Sequence, residues 1–210
     1  MRDIWYADKR DLVKWATLYH LAHIFNGSRI IQIAFYRKEK EFGKIIIDGQ
    51  DKEIPKEVIL HFRDIHRIRD IRFKVLVEVF DLIFEYKKEE VKYRHDYFLS
   101  AIEWLRGYRK EKLIVFLDPD TGLQPIQTKP KTKPKPEHVS EEEVGRIWDA
   151  LKPEDVLVFY QHQTNRRGES WIKDKKIQFT KAIGLSGDAV KLAYGPEVTK
   201  DVVFFYAQKN

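Results

Sequence analysis

Cysteine is absent from the 210 residues, and methionine occurs only once. Without cysteine the chain has no disulfide, no thiolate metal ligand and no cysteine nucleophile. No run approaches the ~18 consecutive apolar residues of a membrane-spanning helix, and no apolar N-terminal segment predicts secretion. We therefore expect neither a disulfide-stabilised secreted protein nor a membrane protein, and the cytoplasm is the predicted compartment.

Charges of both signs are abundant, with 39 lysines and arginines against 33 aspartates and glutamates, a formal net charge of +6. Excess positive charge suits a polyanionic partner, so DNA or RNA is a candidate ligand. Apolar residues make up 43% of the chain, which is enough for a sizeable core beneath an ionic surface. The dense charge, with almost no sulfur, also fits a thermophilic source.

Apolar periodicity predicts alternating helices and strands along the chain. Stretches with a period close to 3.6, such as Trp5 to Phe25, are predicted helices, and short apolar runs, such as Arg29 to Tyr36, are predicted strands. Two final strands, Ala189 to Tyr194 and Val202 to Ala207, are predicted to form an antiparallel hairpin. Such alternation is typical of a mostly parallel sheet with helices on both faces. We expect a single α/β domain over residues 1–210.

Three segments carry more specific local signals. The first predicted helix has an apolar stripe at Leu12, Ala16, Tyr19 and Ala22, with Val13 and Leu18 alongside. Lysine and proline alternate within residues 124–139, and because proline removes backbone donors, an exposed loop is predicted there. Ser140 and Glu143 have the spacing of a capping box, which predicts a helix that runs through Leu151.

Two carboxylates that follow an apolar strand mark a candidate functional site. Asp118 and Asp120 come directly after the run Lys112 to Leu117, with Pro119 between them and Gly122 close behind. Ligands of open α/β sheets bind at the carboxyl ends of the strands, where these aspartates are predicted to lie. Carboxylates so placed can bind a divalent cation, hold an amino group or share a proton.

A second polar run ends the next predicted strand and continues into a loop. If the two strands are neighbours, its side chains converge with the aspartates. The histidine can act as a base, a metal ligand or a phosphate contact, the glutamines can read the edge of a base, and the arginines suit phosphate. The residues of this second group are Tyr160, Gln161, His162, Gln163, Arg166 and Arg167.

Four motifs resemble those of a widespread family of uncharacterised prokaryotic proteins, over nearly the full chain. They are DLVKW from Asp11, HFRDI from His61, FLDPDTGL from Phe116 and YQHQ from Tyr160. A more distant similarity is to the Rossmann-fold amino-methyltransferases that act on adenine in DNA or ribosomal RNA. Their Asp-Pro-Pro-Tyr motif ends the fourth strand, and Asp118-Pro119 matches its first half.

This second resemblance implies a three-layer Rossmann methyltransferase-like fold with S-adenosylmethionine as the cofactor. It implies that Asp118 and the Pro119 carbonyl orient the target amino group, while Tyr160 and His162 line the pocket. It also implies cofactor contacts from a lysine on the first helix and from an acidic residue after the second strand. The matching residues here are Lys14, with Asp81 or Glu78 as the acidic partner.

The chain differs from that family at two places. Asp120-Thr121 stands where the family has a second proline and an aromatic residue that stacks on a flipped base. No Gly-x-Gly follows the first predicted strand, where the family's backbone approaches the cofactor; residues 36–40 are Tyr-Arg-Lys-Glu-Lys instead.

Three functional hypotheses follow, and an enzyme is favoured. The first is S-adenosylmethionine-dependent transfer of a methyl group to an amino group of nucleic acid. The second is a metal-dependent nuclease or phosphoesterase, in which Asp118, Asp120 and His162 bind Mg²⁺ or Mn²⁺. The third is a non-catalytic nucleic-acid-binding module that uses the basic loop.

Overall fold

A computed structural model describes residues 9–35, 45–47, 50–52, 64–70, 75–82, 90–125, 135, 137–163 and 171–210. Within these ranges helices alternate with strands, as the apolar periodicity predicts. No helix in them combines the length and apolar content that crossing a bilayer requires. The segment Pro55 to Ile71 also repeats apolar residues at helical spacing; only its residues 64–70 are described, and Ile65–Asp70 form a 3-10 helix.

The α-helices are α1 Lys9–Ile24, α2 Glu90–Arg106, α3 Glu141–Ala150 and α4 Trp171–Ala182. The strands are β1 Arg29–Ala34, β2 Ile45–Ile47, β3 Gln50–Lys52, β4 Leu76–Phe80, β5 Leu113–Asp118, β6 Gly122–Leu123, β7 His138–Val139, β8 Val156–His162, β9 Lys191–Ala193 and β10 Val202–Gln208. β2 pairs with β3 and β6 with β7, while the other six strands form the main sheet.

The main sheet has the strand order β4-β1-β5-β8-β10-β9. Its first four strands are parallel, so their carboxyl ends share one edge. β10 lies between β8 and β9 and is antiparallel to both. The predicted mostly parallel sheet and terminal antiparallel pair are confirmed. The insertion of β10 beside β8 was not predicted, because a local pattern identifies strands but not their neighbours.

The strand order changes direction between β1 and β5. From β1 the chain passes to β4 on one side, and it then returns to β5 on the other side of β1. Such a switch point leaves a crevice at the carboxyl ends of the two strands, where open α/β sheets bind their ligands. Ala34 and Asp118, which end these strands, face each other in the ladder. The fold therefore places Asp118 beside this crevice.

Helices cover both faces of the sheet and produce three layers. α2, α3 and α4 pack on one face, where Phe98, Ile147 and Phe179 are fully buried. α1 and the 3-10 helix pack on the other face, where Leu18 and Ile68 are buried. We refer to this second surface as the α1 face.

The buried side of α1 differs from the predicted stripe. Leu12 and Ala16 are exposed, whereas Asp11 and Lys14 are buried. The prediction is wrong at Leu12 and Ala16 because hydrophobicity alone cannot reveal that two charged side chains neutralise each other inside the protein. Asp11 and Lys14 form an ion pair of 2.6 Å one turn apart on the helix.

The predicted capping box is confirmed, and it defines the start of α3. The Ser140 hydroxyl accepts a hydrogen bond from the Glu143 backbone, and the Glu143 carboxylate accepts one from the Ser140 backbone. The loop predicted at 124–139 is described only near its ends, where Lys135 is exposed but His138 and Val139 are buried in β7. The loop therefore ends before His138.

Candidate functional site

The two polar runs converge at the carboxyl edge of the sheet. β5 and β8 are adjacent and parallel, with Leu117 opposite Phe159, so Asp118 and Tyr160 follow neighbouring positions. Side chains alternate between the two faces of a strand. Phe116 and Tyr160 belong to the core beneath α1, and Asp118 has the same parity as Phe116. Asp118 and Tyr160 therefore lie together on the α1 face.

Asp118 is held in one orientation by two donors. Its Oδ2 atom accepts hydrogen bonds from Lys14 Nζ at 3.0 Å and from Gln32 Nε2 at 2.7 Å. All three side chains are buried, and Asp118 is only 2% exposed. Its Oδ1 atom accepts no hydrogen bond from any residue that the structure describes. One carboxylate oxygen is thus anchored by the protein, and the other remains available to a ligand.

Lys14 is a buried cation at the centre of this arrangement. Its Nζ atom lies 2.6 Å from Asp11 Oδ1, and 5.8 and 5.7 Å from the ring centroids of Phe116 and Tyr160. Burial alone would lower the pKa of Lys14, but the carboxylates of Asp11 and Asp118 raise that pKa well above its usual value. Lys14 therefore stays protonated and neutralises part of the carboxylate charge. The resemblance implies a cofactor contact for Lys14, and the contact observed in the structure is with Asp118.

Sequence reasoning did not identify Gln32 or Asp11 as site residues. Gln32 is the one polar side chain within the interior positions of β1, whose sequence is RIIQIA. Burying an amide among apolar residues is unfavourable unless the amide forms hydrogen bonds. A glutamine at this position therefore indicates a buried polar partner nearby. Asp11 precedes Lys14 by three residues, a spacing that brings side chains together on a helix.

His162 belongs to a second polar cluster at the same edge. Its Nε2 atom lies 3.2 Å from Asp201 Oδ2, and its Nδ1 atom lies 3.0 Å from the Gln163 carbonyl oxygen. Arg10 Nη2 binds the same Asp201 oxygen at 2.5 Å, and the Thr199 hydroxyl binds the other. Partial burial alone would raise the pKa of Asp201, but these donors hold it well below its usual range. The cluster joins α1 to the start of β10.

The described residues do not bring the predicted metal ligands together. No three histidine, aspartate or glutamate side chains among them form a group that could hold a metal ion, and Asp118, Asp120 and His162 are all described. The Asp118 carboxylate forms an ion pair with the Lys14 ammonium group. Both ring nitrogens of His162 lie within hydrogen-bond distance of protein oxygens. Asp120 is half-buried in the turn that follows Pro119.

Gln161 lies on the opposite side of the sheet from Asp118 and supports the loop after β5. It is fully buried; its Nε2 atom donates to the carbonyls of Thr121 and His162, and its Oε1 atom accepts from the Leu123 backbone at 2.9 Å. Gly122 has a φ of +117° and packs directly on this amide. The geometry supports a structural role for Gln161, while the base contact predicted for it remains a prediction.

Lys175 binds the backbone at the end of β6. Its Nζ atom donates to the carbonyls of Leu123 at 2.8 Å and Gln124 at 3.1 Å, and to Gln178 Oε1 at 2.8 Å. Burial lowers the pKa of Lys175 to about 8. Together with Gln161, this lysine fixes the course of the loop that follows Asp118.

The lowered pKa of Lys175 predicts a pH-dependent stability. Between its folded pKa of about 8 and its usual 10.5, the unfolded chain binds the proton more tightly than the folded chain. The contribution of Lys175 to the free energy of unfolding should therefore rise across this interval. Urea unfolding of the wild type and of Lys175→Met from pH 7 to 10.5 measures it as a difference. A difference that stays constant or falls with rising pH would contradict the prediction.

The two acidic residues proposed for the cofactor lie in different environments. Asp81 follows β4 at the carboxyl edge of the sheet, is exposed, and lies 2.8 Å from His66 Nε2. Glu78 lies inside β4 and binds Arg29 at 3.1 Å and Arg69 at 2.7 Å. Asp81 is therefore the better placed of the two to meet a ligand.

Some predicted site residues lie elsewhere or outside the described ranges. Gln163 is half-buried just after β8, and its backbone pairs with that of Asp201. Arg166 and Arg167 lie outside the described residues, as does the segment after Phe35 in which the Gly-x-Gly is missing. The phosphate role of the arginines stays a prediction.

Comparison with protein families and with curated proteins supplies no function for this chain. No protein-family model matches the chain, and no curated protein is significantly similar to it. The family resemblance described above therefore remains a prediction from motifs. The function must be inferred from the geometry around Asp118.

Proposed function

We propose that the protein is a methyltransferase-like enzyme that uses S-adenosylmethionine to methylate an amino group of nucleic acid. The observation that carries this proposal is the environment of Asp118. It ends a strand at the switch point of the sheet, its Oδ2 atom is anchored by Lys14 and Gln32, and its Oδ1 atom is left for a donor. The second oxygen of a carboxylate anchored in this way is a suitable acceptor for an exocyclic amino group, which must be held in line with the methyl donor.

We also propose that the fold is of the Rossmann methyltransferase-like type. It is supported by the three layers, by the switch point between β1 and β5, and by the final strand inserted antiparallel to its neighbours. The cofactor would supply an activated methyl group. The carboxylate of Asp81 is suited to its ribose hydroxyls, because it is exposed at the same edge of the sheet as Asp118.

In this mechanism the chain's own residues position the substrate. Asp118 Oδ1 and the Pro119 carbonyl accept hydrogen bonds from the target amine, which fixes the nitrogen and raises its electron density. Lys14 keeps its proton, so it acts by orienting Asp118 and not by removing a proton from the substrate. Tyr160, whose pKa is raised by burial despite the nearby Lys14, is likewise a neutral wall of the pocket.

The two alternatives have less support from the site. A metal-dependent nuclease requires several ligands free to converge on one ion. Here the carboxylate of Asp118 already contacts an ammonium group, and the imidazole of His162 lies between a carboxylate and a carbonyl. A non-catalytic binding module would not explain why Asp118 is anchored through one oxygen alone.

Two isosteric variants distinguish binding of the cofactor from transfer of its methyl group to nucleic acid. Calorimetric titration should show that S-adenosylmethionine binds the wild type and that Asp81→Asn weakens binding about tenfold, the loss of one charged hydrogen bond. Asp118→Asn should keep cofactor affinity within about twofold and lower transfer of tritiated methyl to total RNA or genomic DNA by about 100-fold or more. Thermal melts verify that both variants are folded. No binding at millimolar cofactor would refute the proposal.

A further inference from the structure

A groove on the α1 face lies apart from the polar cluster around Asp118. It runs between α1 and the turn that follows β9, and its volume is about 460 Å³. Charged residues make up 34% of the chain, yet none of the thirteen residues that line this groove is aspartate, glutamate, lysine or arginine. The groove is therefore an apolar surface on an otherwise ionic protein.

Large apolar side chains are concentrated and exposed in this groove. They are Leu12 at 64%, Ile24 at 67%, Tyr194 at 61% and Val198 at 41% exposure. Scattered apolar residues are ordinary on a protein surface, but a contiguous group marks an interaction site. Covering such side chains removes apolar area from water, which stabilises a complex.

The shape of the groove favours a helix as its occupant. One wall is a row of α1 residues spaced four apart, namely Leu12, Ala16, His20 and Ile24, and this kind of ridge packs against another helix. The lining also includes Ala193 and Tyr206, which lie on the sheet strands β9 and β10. Within the described part of the chain, no second α-helix packs beside α1 on this face, whereas three cover the other. A helix seated in the groove would pack against this row of α1 residues.

The groove is already formed without a partner. The turn of its second wall is closed by hydrogen bonds from the Val198 and Thr199 backbones to the Gly195 carbonyl, at 3.0 and 2.9 Å. Gly195 packs so closely on α1 that an added Cβ would lie 3.1 Å from a methyl group of Val13. A preformed site lowers the ordering cost of association.

Charges next to the groove indicate the character of the partner. Lys9, Lys191 and Lys200 are exposed, and none of them forms an ion pair with the residues described. Glu197 is the one exposed acidic residue on the intervening turn. A second copy of this chain would bring like charges together, whereas acidic side chains would be attracted. We infer that the groove binds an amphipathic helix of a partner protein, with an apolar face and acidic flanks.

Synthetic helices test this inference directly. The probe is a fluorescent amphipathic peptide of about 18 residues, with leucines at helical spacing and glutamates on the flanks; a matched peptide carries lysine in place of each glutamate. Fluorescence anisotropy should show that the acidic peptide binds at least about tenfold more tightly than the basic one. The triple variant Lys9→Glu, Lys191→Glu and Lys200→Glu should reverse that preference.

A matched pair of variants locates the binding surface. Ile24 lines the groove, so Ile24→Glu should weaken binding of the acidic peptide at least about tenfold. Ile177→Glu makes the same change at an isoleucine of α4 that is 59% exposed, and it should leave binding unchanged. Equal affinity for both peptides, or equal effects of the two variants, would overturn the inference. Sedimentation velocity provides a further test. If the wild type is a dimer and Ile24→Glu dissociates it, the groove binds a second copy of the chain, and the inference is overturned.

Discussion

Replacing Lys14 by methionine is expected to lower the free energy of unfolding by about 3 to 5 kcal/mol. The substitution removes the cation that lies between Asp11 and Asp118, whose side chains are only 8% and 3% exposed. Both carboxylates would then lose the ammonium group that lies against them inside the protein, and one of the two donors to Asp118 Oδ2 would be lost. Urea unfolding at pH 7 measures the effect.

Two comparisons isolate the buried charge as the cause. Lys9→Met removes an exposed lysine from the same helix and should change stability by less than about 0.5 kcal/mol. Adding Asp118→Leu to Lys14→Met should recover part of the loss, because one unpaired buried charge is replaced by an apolar group. If the double variant is less stable than Lys14→Met alone, the unpaired charge of Asp118 is not the source of the cost. Asp118→Asn remains the cleaner variant for activity.

Gly122→Ala is the second change for which we expect a large loss, of about 3 kcal/mol or more. A positive φ costs a residue with a Cβ about 1 to 2 kcal/mol, and Gly122 has a φ of +117°. The new Cβ would also lie 2.5 Å from the Gln161 side chain, which is fully buried and cannot move without breaking its hydrogen bonds. Leaving that amide unsatisfied adds about 1 to 3 kcal/mol. Chemical unfolding of the variant measures the sum.

Two other glycines divide this cost into its parts. Gly184 has a φ of +66° and no atom within 4 Å of an added Cβ, so Gly184→Ala reports backbone strain alone, about 1 kcal/mol. At Gly187 an added Cβ would have no atom within 4 Å, and the φ angle is not in the left-handed region. Gly187→Ala should therefore leave the free energy of unfolding nearly unchanged. A Gly122→Ala variant no less stable than Gly184→Ala would show that Gln161 yields to the added methyl group.

The same residues connect stability with the proposed function. Lys14 and Gln32 orient Asp118 from the α1 face, while Gly122 and Gln161 fix the following loop from the other face. The aspartate is thus held on both sides by buried side chains, as a preorganised acceptor requires. Variants at Gly122 should consequently lower methyl transfer through misplacement of Asp118.

Most helices and strands could be predicted from local sequence because their signals are local. The run Leu113 to Asp118 is continuously apolar up to its last residue, and Ser140 with Glu143 has the spacing of a cap. By contrast, the apolar stripe predicted for α1 included Leu12 and Ala16, which are exposed. Lys14 and Asp11 look like surface residues in the sequence, and the buried carboxylate that Lys14 binds, Asp118, lies more than a hundred residues away along the chain.

By itself the sequence determined the alternation of elements and the strand-end position of Asp118 and of the second polar run, because periodicity and strand ends are properties of neighbouring residues. The tertiary structure alone decided which side chains meet there. The parity of the strands separates Asp118, Tyr160 and His162 from Gln161, and the strand order brings Gln32 beside Asp118. Those relations depend on strand neighbours and on helix rotation, which long-range packing sets and no local pattern encodes.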